Sequence, residues 1–162
     1  VIPFNTAKNE TELWNGTNWT EVNNLNTARW YLGGTGSSST NALALGGEIP
    51  SPPMTGATES WNGTNWTEVN DLNEIRYSVT AAGTNTSALA FCGVEPVSDK
   101  GALTESWNGT NWTNENNLNT ARSGGQGSGS QTAALAAGGY TTTYTAATEE
   151  WYGDGTLSEN ID

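Results

Sequence analysis

Apolar residues in this chain come in short runs of four to seven, separated by Asn, Gly, Thr and Pro, and the runs return in a fixed order. Runs of that length suit strands and are too short for helices. Glu59, Ser60 and Trp61 lead into a turn, and Trp66, Thr67, Glu68 and Val69 lead away from it with period-two alternation. That pattern predicts an outer hairpin with one wet and one buried face. Asn62-Gly63 supplies the turn, because Asn-Gly readily takes up positive φ, and Asn15-Gly16 and Asn108-Gly109 repeat it. Farther on, Tyr77 to Gly83 and Ser87 to Phe91 predict an inner pair, closed by Gly93.

The whole order repeats with a period near forty-six residues. A Trp-Asn-Gly-Thr-Asn-Trp-Thr run starts at Trp14, Trp61 and Trp107, and Trp151 begins an altered fourth copy, at spacings of 47, 46 and 44. Self-similarity at this period predicts stacked supersecondary units in place of one irregular core. From the first Trp to the following Arg is 15 residues in every complete unit, giving Arg29, Arg76 and Arg122. Length varies instead in the loop after the Gly pair: Glu48 to Gly56 with three Pro, Val94 to Ala102 with charges, and Tyr140 to Ala147 rich in Thr. Loops that vary on a fixed frame are where binding is placed. Gly34 and Gly36, Ala81 and Gly83, and Gly127 and Gly129 stand at matching offsets from the three Arg, as expected where strands converge.

These residues resemble the Kelch motif. Gly46-Gly47, Glu59, Trp61, Trp66 and Arg76 follow its order, and Cys92-Gly93, Glu105, Trp107, Trp112 and Arg122 repeat it with Cys92 in place of the first Gly. The resemblance implies an all-β fold of β-propeller blades, each of four antiparallel strands, with the Arg anchoring blade to blade. In style the repeat also resembles Kelch-type repeats in structural proteins of aquatic bacterial viruses. The expected organisation is one repeat domain over residues 1–162: a half blade at 11–24, blades at 29–70 and 76–117, and a partial blade at 122–157. About three and a half blades fall short of the four to eight that usually close a ring. A homo-oligomer or filament is therefore expected, with a neighbour's C-terminal strands completing the N-terminal half blade.

Composition narrows the chemistry. Only five residues are basic against 17 acidic ones, a formal charge of -12, so a phosphate backbone meets repulsion and nucleic acid is not expected as a partner. No stretch approaches the roughly 18 apolar residues that cross a bilayer, so no membrane insertion is expected. The lone Cys92 excludes an intrachain disulfide. Eight Trp at regular places supply buried area that the few aliphatic residues do not.

Without His there is no Ser-His-Asp or Cys-His arrangement, and the common nitrogen ligand for zinc is missing. Glu12, Glu59, Glu105 and Glu149 recur beside the first Trp, and repetition marks them as structural, since a catalytic acid pair is normally unique. Asp99, Asp154, Glu159 and Asp162 lack the spacing of a calcium loop. No enzyme activity, cofactor or metal is expected.

The scaffold residues by this reading are Trp14, Trp19, Trp61, Trp66, Trp107 and Trp112 with Arg29, Arg76 and Arg122. Trp30, Tyr31 and Tyr77 differ, because the third unit has Ser123 and Gly124 in their place; with Tyr140, Tyr144, Tyr152 and the Pro-rich Ile49 to Met54 loop they are the candidate ligand contacts. Asn-x-Ser/Thr triplets at Asn9, Asn15, Asn18, Asn62, Asn65, Asn85, Asn108 and Asn111 are candidate N-glycosylation sites, six of them produced by the repeated turn. The expected function is a non-catalytic structural and binding protein, extracellular or on a virion surface or tail fibre, presenting loops to a host-surface glycan. The alternative is a self-assembling filament subunit.

Overall fold

Fourteen strands and no helix make up the chain among the residues described by the computed structural model, namely 6–50, 53–98, 101–153 and the backbone of 157–158. The acidic positions Asp99, Asp154, Glu159 and Asp162 and part of the Pro-rich loop lie outside them. β1 (Thr11–Trp14) and β2 (Trp19–Val22) form a two-stranded sheet. β3 (Gly33–Ser38), β4 (Asn41–Leu45), β5 (Thr58–Trp61) and β6 (Trp66–Val69) form an antiparallel sheet in that order. β7 (Thr80–Gly83), β8 (Ala88–Phe91), β9 (Thr104–Trp107) and β10 (Trp112–Asn114) repeat it. β11 (Gln126–Gly129), β12 (Ala133–Ala137), β13 (Thr148–Tyr152) and β14 (Leu157–Ser158) form the last sheet. The chain is all-β, a half blade followed by three four-stranded blades, and the first strands of neighbouring blades, β3, β7 and β11, lie side by side.

The hairpins form where the Asn-Gly turns place them. Trp61 faces Trp66 across the turn and Trp107 faces Trp112, with ring centroids 5.4 and 5.2 Å apart. Asn15, Asn62 and Asn108 tighten their turns by accepting, on Oδ1, the backbone N–H groups two and three residues on, all at 2.9 Å. An Asx turn of this kind explains the repeated Asn and Thr without any sugar. The six turn Asn are exposed, whereas Asn85 is half-buried and Asn9, also half-buried, spends its Nδ2 on the Leu25 carbonyl at 3.0 Å.

Inner strands are shorter than the apolar pattern predicts. β7 begins at Thr80, not Tyr77, and β8 at Ala88, not Ser87. The cause is Ser78, whose φ of 53° breaks the extended run and leaves Tyr77 in an isolated bridge to Val94. The second Gly of each pair meets a tight need: a Cβ on Gly93 (φ +120°) would stand 2.9 Å from the Tyr77 carbonyl oxygen. Cys92 replaces the first Gly at φ 53°, with its thiol donating to Thr80 Oγ1 at 3.2 Å. Burial pushes the Cys92 thiol pKa up.

Blades are joined by repeated polar bonds around an apolar core. The core between the first two blades contains Leu43, Leu45, Leu72, Val79 and Trp107; that between the second and third contains Leu89, Phe91, Leu118 and Trp151. The second Trp of two outer hairpins reaches back one unit: Trp66 Nε1 donates to Thr11 Oγ1 at 3.0 Å and Trp112 Nε1 to Thr58 Oγ1 at 3.3 Å. Asn23 and Asn70 reach forward to Asn65 and Asn111 at 2.8 Å.

The arginines do something different from the expected blade-to-blade anchoring. Their side chains pair within their own unit, Arg29 with Glu59 at 3.4 Å, Arg76 with Glu105 at 3.0 Å, and Arg122 with Glu149, all fully buried. The same carboxylates accept the backbone N–H of Asn26, Asn73 and Asn119 at 2.7 Å, so each Glu pins the linker that enters its blade. It is the Arg main chain that joins units: Gly47 N–H donates to the Arg76 carbonyl at 3.0 Å and Gly93 N–H to the Arg122 carbonyl at 3.1 Å. The structural reading of Glu59, Glu105 and Glu149 thus has a concrete basis, while Glu12 is exposed.

Trp14 and Trp19 also depart from expectation. Trp14 holds the place of the buried Trp61 (3% exposed) and Trp19 that of the half-buried Trp66, but they are 46% and 64% exposed, because among the described residues β1 pairs with β2 alone. The C-terminal strands β13 and β14 pair into the last blade.

Candidate functional site

Antiparallel order puts two kinds of connection on one rim. The linkers entering β3, β7 and β11 and the variable loops leaving β4, β8 and β12 share one end of the blades; the Asn-Gly turns share the other. Each linker then clips to its loop by a two-bond bridge: Trp30 with Glu48, Tyr77 with Val94, and Ser123 with Tyr140, at N···O distances of 2.8 to 3.2 Å. Smaller bridges, Glu48 with Met54, Glu95 with Ser98 and Tyr140 with Tyr144, fold each loop back on itself.

Immediately after the bridge residue the backbone turns left-handed in all three copies, at Tyr31 (φ 54°), Ser78 (φ 53°) and Gly124 (φ 66°). For Tyr and Ser this costs about 1 kcal/mol or more, so the surrounding bonds must hold it. One of them is Ser78 N–H donating to the Tyr31 carbonyl at 2.7 Å, which couples the linker of one blade to that of the next. The kink turns the side chain outward: Tyr31 is 61% exposed and packs on Tyr77, ring centroids 5.8 Å apart.

A second aromatic pair, Tyr140 with Tyr144 at 5.7 Å and nearly edge-on, stands on the last loop. It borders an open cavity of about 400 Å³ lined by Ser78, Ser123, Gly124, Gly139, Tyr140, Tyr144 and Thr145. Tyr144 is 91% exposed.

Of the candidate contacts, Tyr31, Tyr77, Tyr140 and Tyr144 therefore share one rim, in two pairs. Trp30 is on the same rim but half-buried, its indole N–H donating to Glu48 Oε2 at 2.6 Å, so it braces the first loop. Tyr152 is not with them. It pairs with Ala133 at the opposite end of the last blade, with its hydroxyl on Glu150, beside a separate open cavity of about 380 Å³. Sequence reasoning missed Ser78, Ser123 and Thr145, small polar residues whose signal was their position one or two after the Arg or in the Thr-rich loop.

The rim is polar, aromatic and open, the chemistry of a stacking surface. Among the described residues no group of three acidic or thiol side chains is placed to hold a metal ion, and no helix is long and apolar enough to cross a membrane. Glu48 is bonded to Trp30, and Glu59, Glu105 and Glu149 are paired with arginines, whereas Glu95 in the second loop holds a buried Oε1 without a hydrogen-bond partner. Burial is what raises the pKa of Glu95, with Arg76 acting against it.

No protein-family model and no curated protein sequence matches this chain. Among solved structures, that of YjhT is similar in fold, with a TM-score of 0.70 at 12% identity over 89% of this chain and 49% of that one. The chain spans about half the length of YjhT.

Proposed function

We propose that this chain is a non-catalytic binding scaffold of Kelch type, whose loop-bearing rim stacks against a glycan on a host surface, the protein itself being extracellular and part of a virion surface or tail fibre. The observation that carries the glycan reading is the gathering of Tyr31, Tyr77, Tyr140 and Tyr144 on the one rim whose loops differ between repeats. Tyrosines that present an open ring and a hydroxyl suit the mixed apolar and polar faces of a sugar. Serine and threonine hydroxyls between the pairs supply further donors and acceptors. A formal charge of -12 favours neutral over anionic sugars. The absence of His and the engagement of the repeated Glu in ion pairs support a role without catalysis.

Titration with a panel of neutral oligosaccharides tests the reading. At least one is expected to bind saturably, and Tyr31→Ala and Tyr144→Ala are each expected to weaken it roughly tenfold, as loss of a stacking contact worth about 1 kcal/mol or more does. Both residues are exposed, so thermal stability should be unchanged. Equal binding by both variants, or none by the parent, rules the glycan reading out.

A filament subunit is the second reading, and the backward-reaching tryptophans favour it. Trp66 and Trp112 donate to Thr11 and Thr58, which leaves Trp19 as an exposed donor at one end and Thr148, in the same register, at the other. A head-to-tail contact between copies would reuse that bond and make an open polymer. Sedimentation velocity is expected to show concentration-dependent growth that Trp19→Ala abolishes.

A further inference from the structure

Two consecutive linkers bring a pair of phenols together and hold them there. Tyr31 and Tyr77 are 46 residues apart in the chain, one on the linker into β3 and the other on the linker into β7. Their ring centroids are 5.8 Å apart with the planes inclined at 38°, within the contact range of aromatic pairs. Neither backbone is free to drift. The Tyr31 carbonyl accepts the Ser78 N–H at 2.7 Å, and Tyr77 is clipped to Val94 by two main-chain bonds at 2.8 and 3.2 Å. The joint lies between two complete four-stranded sheets, so both of its sides are present in the chain.

The pair is also reachable, and it spans a junction that no other covalent bond ties. Tyr31 is exposed and Tyr77 half-buried. The chain has one Cys, so no disulfide joins blade to blade, and that Cys92 is buried with its thiol on Thr80. Tyr140 and Tyr144 differ in kind. They stand nearly edge-on at 70° within one loop, so a bond between them would tie no two blades together.

We propose that Tyr31 and Tyr77 are an oxidative cross-linking site, coupled into a dityrosine that staples the first two four-stranded blades, the oxidant being hydrogen peroxide acting through a haem peroxidase. Each phenol gives up one electron and its hydroxyl proton and becomes a phenoxyl radical. The two radicals join through ring carbons ortho to oxygen, forming one C–C bond, and the hydrogens on those carbons pass to the oxygens as protons, which restores both phenols. The pair has then lost two electrons and two protons, and these reduce one peroxide to two waters. Rotation about χ2 of tyrosine is broad, so the ring carbons meet by turning the side chains and leave the backbone bonds in place. The bond closes 46 residues into a covalent loop and restricts the unfolded chain as a disulfide does. This inference does not depend on the glycan reading.

The test treats the dilute intact chain with a haem peroxidase and peroxide. A product of single-chain mass, lighter by two hydrogens, is expected. Cleavage after Arg and Lys should then yield segment 30–76 joined to segment 77–100, each of which contains a single tyrosine. Tyr31→Phe and Tyr77→Phe should each abolish that product, while Tyr144→Phe leaves its yield unchanged. The cross-linked chain is expected to melt roughly 10 °C above the untreated one. Treated Tyr31→Phe should show no such rise, which separates the staple from general oxidation. Coupling only between chains, coupling confined to the segment that holds Tyr140 and Tyr144, or a 31–77 product that melts with the untreated chain overturns the proposal.

Discussion

Arg76→Met is expected to destabilise the chain by about 3–5 kcal/mol, the usual result of removing one partner of a buried ion pair and leaving the other charge in the interior. Arg76 has no exposed surface, Glu105 has almost none, and 3.0 Å separates their charged atoms. Burial draws the Arg76 guanidinium below its ordinary pKa, and Glu105, then Glu95, act against that. Without the arginine, the buried Glu105 carboxylate keeps the Asn73 amide at 2.7 Å but loses its counter-charge. The double variant Arg76→Met with Glu105→Met should recover much of the loss, since neither charge then has to be desolvated. Urea unfolding of the parent, both single variants and the double variant measures the pair directly. A single variant that melts with the parent would show that the buried pair does not hold the linker in its blade.

Trp107→Ala is expected to cost about 3–5 kcal/mol, while Trp14→Ala costs less than about 1. The two residues occupy the same place in the same repeat, each before an Asn-Gly turn and each against a second Trp, with centroids 5.2 and 5.5 Å apart. What differs is the neighbour. Trp107 lies in the core with Leu43, Leu45 and Val79 and bonds to the Asn85 carbonyl at 2.9 Å, whereas Trp14 is nearly half exposed. For a domain of this length the first change lowers the melting midpoint by roughly 10 °C and the second by a few degrees at most. Calorimetry on the two variants separates them. Equal effects would mean that the outer hairpin is stabilised by its own Trp pair and not by the inner strands.

That contrast also marks where the sequence stops being informative. Thr-Glu-Leu-Trp at 11–14 and Thr-Glu-Ser-Trp at 58–61 differ by one residue, so local pattern predicts the same strand in both places, and both are strands. Asn-Gly turns and period-two alternation are local signals that located three outer hairpins, and the repeat spacing placed the fourth hairpin and the inner pairs. Burial is not local: it is conferred by the strand alongside. The early end of the inner strands was hidden for a related reason, because a left-handed Ser78 or Tyr31 is held by bonds to a neighbouring blade and not by its own propensity. In the candidate site, Tyr31, Tyr77, Tyr140 and Tyr144 stood out because other copies of the repeat lack them. Ser78 and Ser123 did not, since small polar residues next to a Gly-rich run look like connection. The pairing of each Glu with an Arg across nearly thirty residues was likewise invisible until the linker closed over its blade.

The backward direction of the Trp66 and Trp112 bonds makes the two ends of the array unequal under fraying. Each indole is anchored to the unit before it, so losing the last blade leaves the preceding tryptophans bound and bares leucine, as Leu135 is already bared at 38% exposure against 1% for Leu43 and Leu89. Losing the first unit instead frees an indole, as Trp19 is free. Unzipping from the first unit is therefore reported by Trp66 and unzipping from the last blade by its own buried Trp151, so the two ends carry different optical reporters.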